Sequence, residues 1–196
     1  SQANLVLFTD ENFNISGLKK HFSNSEFSYI KDLLKTSDLK KNLFIFEISS
    51  TKKIVLVSIK NNLETSDFEN LGAEFYGHIN NEKKCEYYVN SDSISSKYEN
   101  FIGYFIHGLK LKSYEFNIYK SKIDKKVIII NVIGIKNKIT IHNELRFKAI
   151  EEGTFFARDL VSEPPNVLNP KEYVNRLLKL SKLGIKVTVY NESQMK

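Results

Sequence analysis

The sequence predicts an α/β fold, and three observations carry that reading. Helical and strand periodicities alternate along the chain. Val127 to Ile133 is a nearly continuous β-branched run, which suits a central strand covered on both faces. Tyr98, Phe101, Ile102, Phe105, Ile106 and Leu109 fall on one side of a helix, a core-facing stripe. With 196 residues, 41% hydrophobic and 27% charged, the chain can bury one α/β domain and part of another, and its composition is that of an ordinary globular protein.

In order, Leu5 to Phe8 is a short first strand, and Glu26 to Lys35 forms a helix with Phe27, Ile30, Leu33 and Leu34 inward. Leu43 to Ile48 and Ile54 to Ile59 read as strands joined by the polar turn Ser49 to Lys53, a hairpin. Ser66 to Ile79 places Phe68, Leu71, Phe75 and Ile79 at helical spacing, with Ser66 as the cap. Cys85 to Val89 is a further strand, followed by the Tyr98 to Leu109 helix and the Val127 to Ile133 strand. No repeat, low-complexity segment or long linker interrupts the pattern.

The end of the chain reads as helix, rigid turn, helix, strand. Leu145, Ala149, Phe156, Ala157 and Leu160 make an amphipathic helix that must stop near Ser162, because Pro164-Pro165 removes an N–H and excludes helical backbone before it. Asn166 is placed to satisfy backbone groups in the turn. Asn169-Pro170-Lys171-Glu172 then has the order of a helix start: Asn at the N-cap, Pro at the first helical position, and Glu at N3 to reach back to the cap. Gly184 terminates that helix, and Ile185, Val187 and Val189 alternate with Lys186 and Thr188 as in a half-buried strand.

Sites of chemistry are sparse. His21, His78, His107 and His142 lie in separate elements without spacing that sets two rings on one helical face, and each reads as a surface or capping residue. Glu151 and Glu152 diverge by about 100° on their helix and read as a solvated face. Arg158 and Asp159 diverge likewise and are expected to tie their helix to neighbouring domains or subunits. The single cysteine, Cys85, excludes an internal disulfide and suits a reduced compartment as a small buried residue. No run of about 18 apolar residues suggests a membrane span, and Ser1 to Val6 carries no secretion signal. There is no nucleophile elbow, phosphate-binding loop or dinucleotide fingerprint.

The net charge of +6 is uneven. Residues 1–100 hold 12 lysines against 14 acids, whereas residues 101–196 hold 17 basic residues against 9 acids. Eight lysines lie in Lys110 to Lys138 against Glu115 and Asp124, interleaved with Tyr114 and Tyr119. Such a stripe could attract a nucleic-acid backbone. With only three arginines among the 29 basic residues, bidentate base readout has little to work with.

Two passages resemble one known family. Ala157-Arg158-Asp159-Leu160-Val161-Ser162-Glu163-Pro164-Pro165-Asn166-Val167-Leu168-Asn169-Pro170 is similar to the entry to the catalytic domain of the leucyl, or cytosol, aminopeptidases. Gly108-Leu109 with Ser113-Tyr114-Glu115-Phe116 and Tyr119-Lys120 resembles a passage of that family's N-terminal domain. The likeness is specific from about Phe101 onward; Ser162 departs from the Asn common there. It implies a mixed β-sheet flanked by helices, a macro-like N-terminal domain over residues 1–139, then a connecting helix over 140–163 and the truncated beginning of a metallopeptidase domain, a helix-strand unit, over 164–196. It further implies a cytoplasmic, homohexameric enzyme that releases N-terminal residues from peptide substrates with two divalent metal ions, zinc, manganese or magnesium. That family's ligands, a lysine and several acids, are expected beyond Lys196, so no catalytic, cofactor-binding or metal residue is assigned here and the 196 residues alone are expected to be inactive. Some bacterial members also bind DNA, which makes a regulatory module acting through Lys110 to Lys138 the alternative. A free-standing macro-like nucleotide-binding domain would require the phosphate loop that is missing.

Overall fold

A computed structural model describes residues 3–82, 84–94, 98–123 and 126–195. Lys83, Ser95 to Lys97, Asp124, Lys125 and Lys196 lie outside the described residues, as do Ser1 and Gln2, so that part of the basic stripe and the ends of the chain are not characterised. The chain forms two compact units, Ser1–Glu151 and Glu152–Lys196.

The first unit contains β1 (Asn4–Asp10), α1 (Asn24–Thr36), β2 (Leu43–Ser49), β3 (Lys52–Ile59), α2 (Thr65–Ile79), β4 (Lys84–Asn90), α3 (Phe101–Lys112) and β5 (Val127–Ile133). Its sheet runs β2-β3-β1-β4-β5. The β2–β3 hairpin is antiparallel and every other pairing is parallel, so the sheet is mixed, with helices on both faces. Period-two alternation sends Val6, Phe8, Val55 and Val57 into a core with α2 and α3, while Leu7, Ile54 and Leu56 meet Ile30 and Leu34 of α1 on the other face. The aromatic stripe of α3 is core as expected: Phe101 and Phe105 are fully buried, with Phe8 edge-on to both at 5.0 and 5.3 Å between ring centroids.

Two local expectations change. The strand over Val127 to Ile133 is present, but it is the sheet edge and half exposed, while the central strand covered on both faces is β1. β-branching reports fitness for a pleated surface, not position in the sheet. The cap of α2 is Glu64, two residues before the expected Ser66: its N–H donates to Asp67 Oδ2 at 2.8 Å. Helix α1 begins with a capping box, Ser23 Oγ accepting from Glu26 N while a Glu26 carboxylate oxygen accepts from Ser23 N.

Helices α2 and α3 touch backbone to backbone. A Cβ placed on Gly72 would stand 1.9 Å from the Phe105 carbonyl oxygen, and one on Gly108 would stand 1.9 Å from that of Glu69. Only glycine permits this crossing, which lets one helical layer serve the whole sheet face.

Helix α4 (Ile141–Ser162) stops before the proline pair as the sequence requires, and α5 (Pro170–Leu178) follows. Between them the Pro164 carbonyl accepts from the N–H groups of Val167 and Leu168, each at 2.9 Å, so backbone closes the turn for which Asn166 was expected. Asn169 Oδ1 accepts from Glu172 N at 3.0 Å, the expected N-cap. The Glu172 side chain does not complete a capping box; it accepts from Arg176 Nε at 3.2 Å, and Arg176 also donates to Glu163 at 2.9 Å. A charge-assisted bond to Arg outcompetes a neutral backbone N–H. The helix tightens into a 3-10 turn, Lys179–Leu183, and ends at Gly184 with φ 82°. The expected strand over Ile185 to Val189 is absent: no described residue offers it a ladder, and Ile185, Val189 and Tyr190 are exposed.

Candidate functional site

In a parallel sheet, ligands favour the crevice beyond the strand C-termini where strand order changes direction. Here that point is β1, with β3 on one side and β4 on the other. A cavity of about 370 Å³ lies there, lined by Phe8, Thr9, Asp10, Leu18, Asp92 and Tyr98 among others. Its polar groups serve the loops of the rim. Asp10 Oδ1 accepts from the N–H groups of Asn12 and Asn14, and Tyr98 Oη donates to the Lys60 carbonyl at 2.9 Å. Ser93 Oγ accepts from Phe8 N at 2.9 Å and donates to the Asn90 carbonyl at 2.7 Å. Asp92 Oδ1 accepts from Ile135 N at 2.8 Å and Lys136 N at 2.6 Å, and these bonds, that from Lys136 foremost, hold its carboxyl below the usual aspartate range. The crevice is thus self-satisfied, with its carboxylates engaged by the chain's own backbone.

A larger groove, about 810 Å³, runs over the opposite sheet face, where Leu5, Phe22, Ile48 and Ile133 make an apolar lining beside His21 and Tyr88. Burial, and next the Lys20 cation, lower the His21 pKa against a weaker opposing pull from Asp92. The ring is thereby biased toward its neutral form, and among the described residues its Nε2 has no hydrogen-bond partner. At the groove's edge Lys52 Nζ meets Glu26 Oε1 at 2.5 Å.

A third cluster corrects the histidine reading. His78 and His142 are exposed as expected, but His107 is 4% exposed, its Nδ1 2.8 Å from Glu69 Oε1 of α2 and its ring 5.1 Å from that of Phe147. Phe147 sits in the space left by Gly103 and lies edge-on to Tyr104 at 5.0 Å. One turn before it, Asn143 Nδ2 donates to Asn100 Oδ1 at 2.6 Å; one turn after it, Glu151 pairs with Lys110 at 3.3 Å. Glu151 is therefore a partner of α3, and only Glu152 of that acidic pair is exposed. Asn143, Phe147 and Glu151 recur every four residues, a stripe that fastens the first half of α4 along α3. Arg158 and Asp159 are half-buried and both engaged.

A fourth group, invisible in sequence, surrounds Cys85. Tyr87 Oη donates to Glu82 Oε1 at 2.9 Å, and Lys53 reaches Glu82 at 3.3 Å and Glu47 at 3.4 Å. Burial, then the Glu82 charge, push the Cys85 thiol up to about 11, so it stays protonated and unreactive at neutral pH. The described lysines of the basic stripe are dispersed over the end of α3, the segment before β5 and the segment after it, with Lys126 paired to Glu115 at 3.4 Å as Lys110 is to Glu151. Among the described residues no three His, Cys, Asp or Glu side chains are grouped to hold a metal ion, and no helix is long and apolar enough to cross a membrane.

No protein-family model matches the chain. Curated relatives do. The probable cytosol aminopeptidase of Phytoplasma mali is 39% identical over 98 residues, 47% of this chain and 20% of its own length. That of Agrobacterium fabrum is 26% identical over 156 residues, 76% of this chain and 31% of its own length. Among solved structures, a tomato leucine aminopeptidase mutant superimposes with TM-score 0.72 at 16% identity, over all of this chain and 43% of its own. The bottromycin maturation enzyme BotP in complex with Mn gives 0.65 at 12% identity, over 100% and 40%. The chain is a relative of the cytosol, or leucyl, aminopeptidases and carries the mixed α/β fold of their N-terminal domain. It spans about a fifth of the length of the curated relatives first matched.

Proposed function

We propose that this chain is the N-terminal part of a cytoplasmic leucyl aminopeptidase, with an N-terminal domain over 1–139, a connecting helix over 140–163 and the beginning of the catalytic domain over 164–196. The observation that carries the reading is the coincidence of two independent matches: relatives named cytosol aminopeptidase, and a fold shared along the whole chain with a leucine aminopeptidase. The complete enzyme releases N-terminal amino acids from peptides as a homohexamer with two divalent ions per subunit. Paired ions of that kind polarise a scissile carbonyl and activate a bridging water. The described residues do not fit such a centre, since no group of ligating side chains converges among them, and no step of the reaction is assigned to them. Their part is to build the outer domain and hold the first half of α4 against it through Asn143, Phe147 and Glu151.

The test is direct. Purified residues 1–196 with added manganese are expected to leave a leucyl chromogenic substrate intact and to retain no stoichiometric zinc or manganese after dialysis. Turnover that co-elutes with the chain, or one or two tightly bound ions, would overturn the assignment of catalysis to other residues.

A further inference from the structure

β5 is an open sheet edge. It pairs with β4 along its whole length, and no described residue pairs with its other side. Natural edges refuse partners with charges, prolines or bulges. The sequence Val127-Ile128-Ile129-Ile130-Asn131-Val132-Ile133 contains no charge and no proline, and its pairing with β4 is free of register shifts. Its side chains are exposed on both faces: Val127, Ile129 and Ile133 at 46%, 43% and 37% on one, Val132 at 40% on the other.

The strand is also complementary to itself. Two copies that join edge to edge about a two-fold axis perpendicular to the sheet keep each face in common, which requires some residue to stand opposite its own copy. Centred on Ile130, that arrangement sets Ile128 opposite Val132, Ile129 opposite Asn131 and Val127 opposite Ile133. No charge faces a like charge, and Lys126 falls opposite Gly134. We propose that β5 is a self-association edge, through which a second copy of this chain adds its own β5 antiparallel about Ile130. Pairing one seven-residue strand buries less than the roughly 1,200 Å² of a tight complex, so the association is weak and reversible.

Sedimentation and light scattering at roughly 0.5 mM chain, where a Kd of 1 mM or below populates dimer, are expected to show mass rising with concentration. Ile129→Lys should lower the association constant at least tenfold. Mixing it with Ile129→Glu should restore dimer, because the two 129 side chains lie on a diagonal about 7–8 Å apart. That rescue separates loss of pairing from misfolding. Ile130→Cys should link to its own copy on oxidation. Val127→Cys should not, since its copies stand six residues apart on each strand, roughly 20 Å, beyond the 7 Å a disulfide spans. A monomer throughout the concentration range, equal linking at 127 and 130, or a dimer untouched by Ile129→Lys but abolished by Val187→Pro would each overturn the proposal, the last by moving the contact to Ile185–Tyr190.

Discussion

Replacing Gly108 by alanine adds one methyl group where there is no room for it. The new carbon would lie 1.9 Å from the Glu69 carbonyl oxygen, 2.5 Å from its carbon and 2.6 Å from its Cα. Contact between such atoms is comfortable only at about 3.5 Å, and all three belong to the backbone of α2, so no side chain can swing aside. The helices must part by more than an ångström, opening the packed seam of Leu71, Phe75, Phe105 and Leu109. Overpacking of this kind costs about 1–3 kcal/mol, and a rigid obstacle puts it at the upper end. The gain in helix propensity from Gly to Ala offsets about 1 kcal/mol. The net loss is about 2 kcal/mol, a fall in Tm of about 4–8 °C for a unit of this size. Gly77 is the internal control: it lies in the same α2, exposed, with nothing within 4 Å of an added Cβ, so Gly77→Ala should raise stability by about 0.5–1 kcal/mol. Thermal and urea melts followed by circular dichroism measure both. A Gly108→Ala protein as stable as the parent, or a Gly77→Ala protein destabilised to the same degree, would refute the backbone-contact account of the α2–α3 crossing.

Two further outcomes follow from single bonds. Asp92 is held below its ordinary pKa by the N–H groups of Lys136 and Ile135, so the stability it contributes is complete above about pH 4 and is lost as pH falls through the lowered folded value; the Tm gap between the parent and Asp92→Asn should narrow below pH 4, and a gap constant from pH 7 to pH 3 contradicts this. Asn169→Ala removes the acceptor for Glu172 N and should cost about 1 kcal/mol of α5 stability, read as faster amide exchange over residues 170–178 with exchange in α2 and α3 unchanged.

What could be read from the sequence was what neighbours in the chain decide. The α3 stripe, the stop before Pro164, the Asn169 cap and the Gly184 terminator rest on residues within one or two turns of each other, and all are present. What depended on a distant partner was hidden. His107 meets Glu69 from 38 residues away, and Glu151 meets Lys110 from the preceding helix; residue type alone marks both as surface groups. The β-branched run over 127–133 announces a strand but not whether a sixth strand lies beyond it, which is why an edge was read as a centre. Ile185 to Val189 has the alternation of a strand, yet strand is a property of a pair, and no described residue completes it.

The segments that carry the family likeness have physical reasons to be recognisable. In Gly108-Leu109 the glycine is the point at which α3 crosses α2, and Leu109 is buried in the same core. Two residues on, Lys110 holds Glu151 of α4, and α4 runs on to Pro164-Pro165 and the Asn169-Pro170 restart. A substitution at Gly108 displaces α3 itself, and α4 is fastened to α3 at three points, Asn100, the Gly103 recess and Lys110. A side chain is least replaceable on steric grounds where a helix approaches another backbone, as at Gly72 and Gly108. Those fixed points, the α2–α3 crossing at Gly108 and the helix restart at Asn169-Pro170, are what local sequence can carry from one chain to another.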